Sequence, residues 1–310
     1  MTNDEFFNFL DLKRFLNHSF FLNPLKENYT DYLFQLLDRA VDEWENGETE
    51  LAVQLCDEFT GQVKDIYIGE FLKLAIQLKE IDVEEKLSAF ENINPDIFKT
   101  KLELVLFHFF KACLYFVNYD IDEARKECEK VISLENSLYY AYYIKAQCYA
   151  LRELHHLAIP AYITSLKGNY RVDEIKANLA YSYLRNKDNW KALRLHKKIV
   201  DKFPENYKVQ YNTGLCYKRF KKYRKAIKYF DRALKIHQST PSFYLTRGRI
   251  LMKIKEHEKA QNDLLIAASN NVPLAEDLLK INELVISRNI SSRKAENRVR
   301  DLLKRVVNRS

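Results

Sequence analysis

A 34-residue period constrains this chain more than any other feature. Ala146, Ala180, Gly214 and Gly248 stand 34 residues apart, as do Ala158, Ala192, Ala226 and Ala260. The aromatic series Tyr149, Tyr183 and Tyr217 keeps the same step and ends in Leu251. Three markers in one register are an internal repeat, with one supersecondary unit copied along the chain. The clearest copy reads Gly214-Leu-Cys-Tyr217, Lys222-Tyr-Arg-Lys-Ala226 and Tyr229-Phe230-Asp-Arg-Ala233-Leu234. Its apolar residues recur every three or four positions, with a break near Lys221–Lys222. That pattern predicts two amphipathic helices joined by a tight turn. Gly214 and Ala226 let the two axes approach, and Tyr217 and Phe230 fill the space beside them. Ala233 meets the next pair at similar spacing. One pair cannot bury its apolar face alone, so copies must stack.

The register extends outward. Ala112, Tyr115 and Ala124 lie one period before Ala146, Tyr149 and Ala158, while Ala75 precedes Ala112 by a longer step. Ala40 and Ala52 keep the internal offset of the other copies. The reading is about seven helix pairs, at 33–67, 68–104, 105–138, 139–172, 173–206, 207–240 and 241–273. Before them, residues 1–32 form a Phe-rich segment in which Phe6, Phe7, Phe9, Phe15, Phe20 and Phe21 alternate with leucines. It is expected either to cap the first repeat or to occupy an apolar groove. After Pro273, a capping helix and a basic tail helix are expected over 274–310. Pro160 falls inside a predicted second helix, where it should kink the helix or mark a late start.

These offsets resemble the tetratricopeptide repeat. Gly214 stands at that family's small position, Tyr217 at its aromatic one, and Ala226, Phe230 and Ala233 at the small, aromatic and small positions of the second helix. Pro204 matches the family's terminal proline. Ala180, His196 and Ile199 depart from the pattern in their copy. The resemblance implies an all-α, right-handed superhelical solenoid that binds a partner protein and performs no catalysis. It also implies that the first helix of each pair lines a concave groove. The family's groove positions fall on Phe34, Leu37, Val41 and Trp44, then on Leu72 and Ile76, then on Leu106, Phe109, Cys113 and Phe116. Tyr140, Tyr143, Tyr181 and Tyr211 continue the line. Lys208, Lys218, Arg219, Arg249 and Lys253 complete it. On this register the lining passes from apolar, through tyrosine, to basic. The Lys/Asn clamp with which some members grip chaperone tails is absent.

Charge supports a polarised surface. Residues 1–135 hold 14 Lys+Arg against 28 Asp+Glu, and residues 136–310 hold 36 against 15. A basic half favours an anionic partner. The expected partner is a protein or peptide segment with acidic character, with nucleic acid or another polyanion as the alternative. Oppositely charged ends also permit head-to-tail self-association. Met-Thr-Asn-Asp-Glu lacks the basic start of a signal peptide, and no apolar run has the length of a membrane span. Cys56, Cys113, Cys128, Cys148 and Cys216 show no paired spacing, so a reducing cytoplasm is the expected compartment. No cofactor, metal or catalytic residue is expected. His155 and His156 are adjacent, and neighbouring helical residues point too far apart to chelate well.

Overall fold

The chain is described by a computed structural model at residues 31–46, 48–62, 69–71, 73, 83–98 and 100–307. The Phe-rich stretch up to residue 30, Leu72, Ala75, Ile76 and the side chain of Phe34 lie outside the described residues. Every regular element among the described residues is helical. The order is α1 (Asp31–Glu45), α2 (Thr49–Gln62), α3 (Val83–Glu91), α4 (Lys101–Val117), α5 (Ile121–Leu134), α6 (Tyr139–Leu151), α7 (His155–Ser165) and α8 (Val172–Arg185). It continues with α9 (Asn189–Ile199), α10 (Tyr207–Arg219), α11 (Tyr223–Ile236), α12 (Pro241–Lys253), α13 (His257–Ser269), α14 (Ala275–Ile286) and α15 (Ser292–Val307). Two compact units result, Met1–Ser182 and Tyr183–Ser310.

Local chemistry sets the helix ends. Thr100 and Glu103 form a reciprocal capping box at the start of α4, which satisfies two otherwise orphan backbone donors. Asn206 accepts from the Val209 N–H at 3.1 Å and opens α10. Pro241 occupies the first turn of α12, where its missing N–H costs nothing. The turns within the pairs repeat as the sequence does. Tyr119, Glu153, Lys187, Lys221 and Lys255 all have left-handed backbone, with φ of 64°, 58°, 67°, 57° and 68°. They too are 34 residues apart. The N–H one residue later reaches back to the aromatic series: Asp120 to the Tyr115 carbonyl, Leu154 to Tyr149, Asp188 to Tyr183, Lys222 to Tyr217 and Glu256 to Leu251, at 2.8–3.0 Å. This is a Schellman closure, which turns the chain sharply while satisfying helix-end carbonyls. None of the five left-handed residues is glycine. Since an L-residue is disfavoured there, Lys221→Gly should raise the unfolding free energy by about 0.5–1 kcal/mol. Urea denaturation measures this, and a loss of stability would contradict the turn geometry.

In the first unit α4 is buried almost all round, as its continuous apolar run requires. Phe107 stacks on Phe90 at 5.6 Å, and Phe110 stacks on Phe71 at 5.9 Å. A buried polar contact interrupts this packing: His108 Nδ1 lies 2.6 Å from Glu127 Oε2. Burial works against the Glu127 charge, but His108 and Lys130 outweigh it and hold the carboxyl below its usual range. Helix α7 begins at His155 and runs through Pro160 to Ser165, so the proline does not delay its start.

In the second unit, Gly214 shows why its position needs a small residue. A Cβ there would come within 2.6 Å of the Phe230 ring. At the end of the chain, Ala275 and Leu278 of α14 are buried, and Leu278 packs with Leu251, Ala260 and Leu264. Val299 and Leu302 of α15 lie against the same core. Asn282 is buried in α14 and donates to the His257 carbonyl and to Gln261 Oε1, both at 2.9 Å. Helix α14 thus covers the last pair with both apolar contacts and a satisfied polar anchor.

Candidate binding surface

The first helices of two neighbouring pairs, α10 and α12, lie side by side in the second unit. The Tyr211 ring stacks on Phe243 at 3.8 Å, and the Tyr211 hydroxyl is 2.9 Å from the Thr246 hydroxyl. Tyr207, one turn earlier, approaches the same Phe243 ring at 6.1 Å. The contacts follow the same order on both helices, so α10 and α12 run in one direction. Seven residues beyond Tyr211 stands Lys218, and seven beyond Thr246 stands Lys253. Two helical turns, about 10 Å, bring these lysines level on the same side as the Tyr211–Thr246 contact. Arg249 stands one turn beyond Thr246 on that stripe. Helices α10 and α12 together carry no carboxylate.

The electrostatics follow from this placement. Lys218 is half-buried, and its amine is pushed down to about 8, first by burial and then by Arg249, Arg219 and Lys253. Burial likewise pulls Arg249 below its usual range, with Tyr211 acting in the opposite direction. No carboxylate is among the groups acting on either residue. Nearby acids are engaged elsewhere: Asp231 and Asp263 by Arg247, and Glu256 by Lys259. Lys253 is exposed, with its amine 5.3 Å from the centre of the Tyr223 ring.

The pH dependence has a definite sign. The folded-state pKa of Lys218 lies below that of an unfolded lysine. Between about pH 8 and 10.4 the unfolded chain therefore holds more protons at this site, and stability should rise with pH. Lys218→Met should be more stable than the parent at pH 7, with the difference shrinking by pH 10. Paired denaturation curves isolate this group from the tyrosines that titrate nearby. An unchanged difference across that window would contradict a desolvated Lys218.

The residues expected to line the groove divide clearly. Lys218, Arg249, Lys253, Arg219 and Tyr211 come together. Lys208 is exposed at the start of α10, ten residues and about 15 Å from Lys218, so it stands apart. Tyr181 is half-buried, with its ring edge-on to His155 at 5.6 Å. Four more are interior residues. Phe109 and Tyr143 have 0% of their surface exposed, and Phe116 and Tyr140 are buried. Tyr140 stacks on Tyr170 at 3.9 Å. The Tyr143 hydroxyl accepts from Gln147 at 3.0 Å and Asn178 at 3.1 Å, and Tyr162 donates to Gln147. Tyr140 and Tyr143 of α6 therefore belong to a packed polar-aromatic interior rather than an open lining. Leu37, Val41, Leu106 and Cys113 are also buried, and Trp44 is half-buried.

Among the described residues, other reactive side chains form no site of this kind. All five cysteines are free and buried. His155 is buried while His156 is exposed, so the adjacent pair does not converge. Among the described residues no three His, Cys, Asp or Glu side chains are grouped to hold a metal ion. No described helix is long and apolar enough to cross a membrane.

Residues 177–242 match the family model described as tetratricopeptide repeat. Over these residues the chain carries tetratricopeptide repeats. Among curated proteins, Anaphase-promoting complex subunit 3 of Schizosaccharomyces pombe is 23% identical over 142 residues, which are 46% of this chain and 21% of that protein. The chain thus spans about a fifth of that relative's length. Among solved structures, YrrB is described as a TPR protein with an unusual peptide-binding site. It superposes with a TM-score of 0.51 at 17% identity, over 64% of this chain and 100% of its own. Pseudomonas aeruginosa pilF gives a TM-score of 0.51 at 20% identity, over 68% of this chain and 95% of its own. At these identities the structural likeness concerns the fold. The tetratricopeptide register places Lys218, Arg249 and Lys253 on first helices. Sequence reading did not single out Phe243, Thr246 and Tyr223 beside them. The signal for Thr246 is its 35-residue offset from Tyr211, which matches that between Lys218 and Lys253.

Proposed function

We propose that this tetratricopeptide-repeat chain is a non-enzymatic scaffold that binds a segment of a partner protein along first-helix faces, with its basic part selecting acidic character. One observation carries the reading: Lys218 and Arg249 are half-buried cations with no carboxylate acting on them. Burying charge without compensation is unfavourable, and an arriving anion relieves that cost. The stacked Tyr211 and Phe243 rings beside the cations add a rigid apolar contact suited to a side chain. The peptide-binding site named for YrrB, a protein of the same fold, supports a peptide occupant.

The charge excess of residues 136–310 favours nucleic acid as the second reading. The two differ in composition and in salt response. Capture from a native lysate should retain a protein after nuclease treatment, and Lys218→Glu/Arg249→Glu should release it. Duplex binding through about six phosphates should weaken about a thousandfold between 50 and 200 mM salt. Retained material that disappears with nuclease and follows that salt law would replace the protein reading with the nucleic-acid one.

A further inference from the structure

The cations of α10 and α12 specify more than a general preference for acid. Lys218, Arg249 and Lys253 converge from two parallel helices, and Arg219 stands at the end of the first. Two of them, Lys218 and Arg249, are half-buried. A single carboxylate brings one negative charge and two acceptor oxygens. It would leave most of this charge uncompensated in a partly desolvated place. A phosphoryl group on a side chain brings about −1.5 to −2 charges and three acceptor oxygens. That count matches three convergent cations. An arginine supplies a planar donor fork for two of the oxygens, and lysines act as adjustable point charges. The surroundings limit the ligand as well. Tyr211 and Phe243 close one end of the stripe with stacked rings, and the Tyr211 hydroxyl is occupied by Thr246. That end suits an apolar or aromatic neighbour of the anionic residue. An extended sugar–phosphate backbone would need basic groups at regular intervals along its track. Here Lys208 is separated from the cluster by the uncharged stretch of α10 from Val209 to Tyr217.

We propose that the Lys218–Arg249–Lys253 face recognises a phosphorylated side chain within an extended segment of a partner protein. This rests on the reading of the array as a protein-binding scaffold. Phosphorylation of the partner then controls its docking: the unmodified segment lacks the charge that compensates the cluster.

The test uses the full chain and three degenerate peptide libraries, identical except for one fixed central residue: phosphoserine, serine or glutamate. Binding is read by fluorescence polarisation at 150 mM salt. The phosphoserine library should bind about tenfold or more tightly than either other library, consistent with charge-assisted hydrogen bonds. Lys218→Gln, Arg249→Gln and Lys253→Gln should each remove most of that preference, while Lys235→Gln, on an exposed position of α11, should keep it. Lys253 is exposed, so its variant is expected to fold normally and keeps the test meaningful if a more buried variant unfolds. Equal binding of the glutamate and phosphoserine libraries, lost in the same variants, would overturn the phosphate assignment while leaving an acidic-peptide scaffold. A phosphoserine preference that survives all three variants would overturn the assigned site. If no library binds, yet a nuclease-resistant protein partner is captured and retained by the glutamine variants, the phosphate inference fails and the scaffold reading stands. Single-stranded RNA that binds more tightly than the phosphoserine library and competes with it would overturn both.

Discussion

Arg247→Leu is expected to lower the unfolding free energy by about 3–5 kcal/mol. Arg247 Nε and Nη2 donate to the two carboxylate oxygens of Asp263 at 2.8 and 2.7 Å, and Nη1 donates to Asp231 at 2.6 Å. Burial works against the guanidinium charge, but Asp263 and then Asp231 outweigh it and raise its pKa. Asp231 is on α11 and Asp263 on α13, so one arginine joins two successive helix pairs. Asp263 is only 3% exposed, and removing Arg247 would leave its charge buried without compensation. Asp231 is largely exposed and contributes little by itself. The double variant Arg247→Leu/Asp263→Leu should recover much of the loss, because an apolar pair of suitable volume often replaces a buried ion pair with little penalty. Urea denaturation of the parent, the single variant and the double variant completes the comparison. A single variant within about 0.5 kcal/mol of the parent would show that the bidentate pair does not form.

Phe230→Ala should cost about 3–5 kcal/mol, the usual range for emptying a packed aromatic site. The Phe230 side chain has no exposed surface. Its ring sits over Gly214, close enough that a Cβ on that glycine would intrude to 2.6 Å, and it contacts Tyr211 at 5.2 Å. The cavity would therefore open where α10 and α11 approach each other and directly behind a residue of the proposed binding surface. Gly248 provides a contrast. A Cβ there would meet Asp263 at 3.1 Å and Leu264 at 3.2 Å, a milder crowding. In Gly248→Ala, better helix propensity of about 1 kcal/mol offsets that crowding. Thermal melts of Gly214→Ala, expected to be clearly destabilised, and of Gly248→Ala, expected to lie near the parent, test the difference. Equal destabilisation would mean that the two glycines play the same packing role.

Much of this architecture was legible in the sequence because close packing leaves few choices. Gly214, Ala226, Phe230 and Ala233 are all buried, and each is small or aromatic where helices approach or leave a gap. The Lys218 and Lys253 stripe was also legible, since residues seven apart share a helix face. The left-handed turns were hidden, because tyrosine, glutamate and lysine occupy positions where glycine would have announced them. Arg247 pairing with Asp263 was hidden too, because its 16-residue separation follows no single-helix spacing. The tyrosines of α6 show a third limit. A groove-facing register cannot reveal that Asn178 and Gln147 satisfy the Tyr143 hydroxyl and let the whole side chain be buried. His196 is a related case: it stands at an aromatic position, buried, with its pKa pushed down to about 4 by that burial. There it serves as a neutral ring, so its polarity misleads a sequence reading.

Position-specific photocrosslinking tests the central claim most directly. Benzoylphenylalanine would be placed singly at Leu215 and Leu245, half-buried residues of the first helices α10 and α12. Control positions are the exposed Leu265 on α13 and the exposed Arg232 on α11. Each folded protein would be irradiated in native lysate after nuclease treatment. The account predicts a discrete protein adduct from Leu215 and Leu245, abolished by Lys218→Glu/Arg249→Glu, and none from Leu265 or Arg232. Adducts confined to the second-helix positions, or first-helix adducts indifferent to the charge reversal, would contradict it.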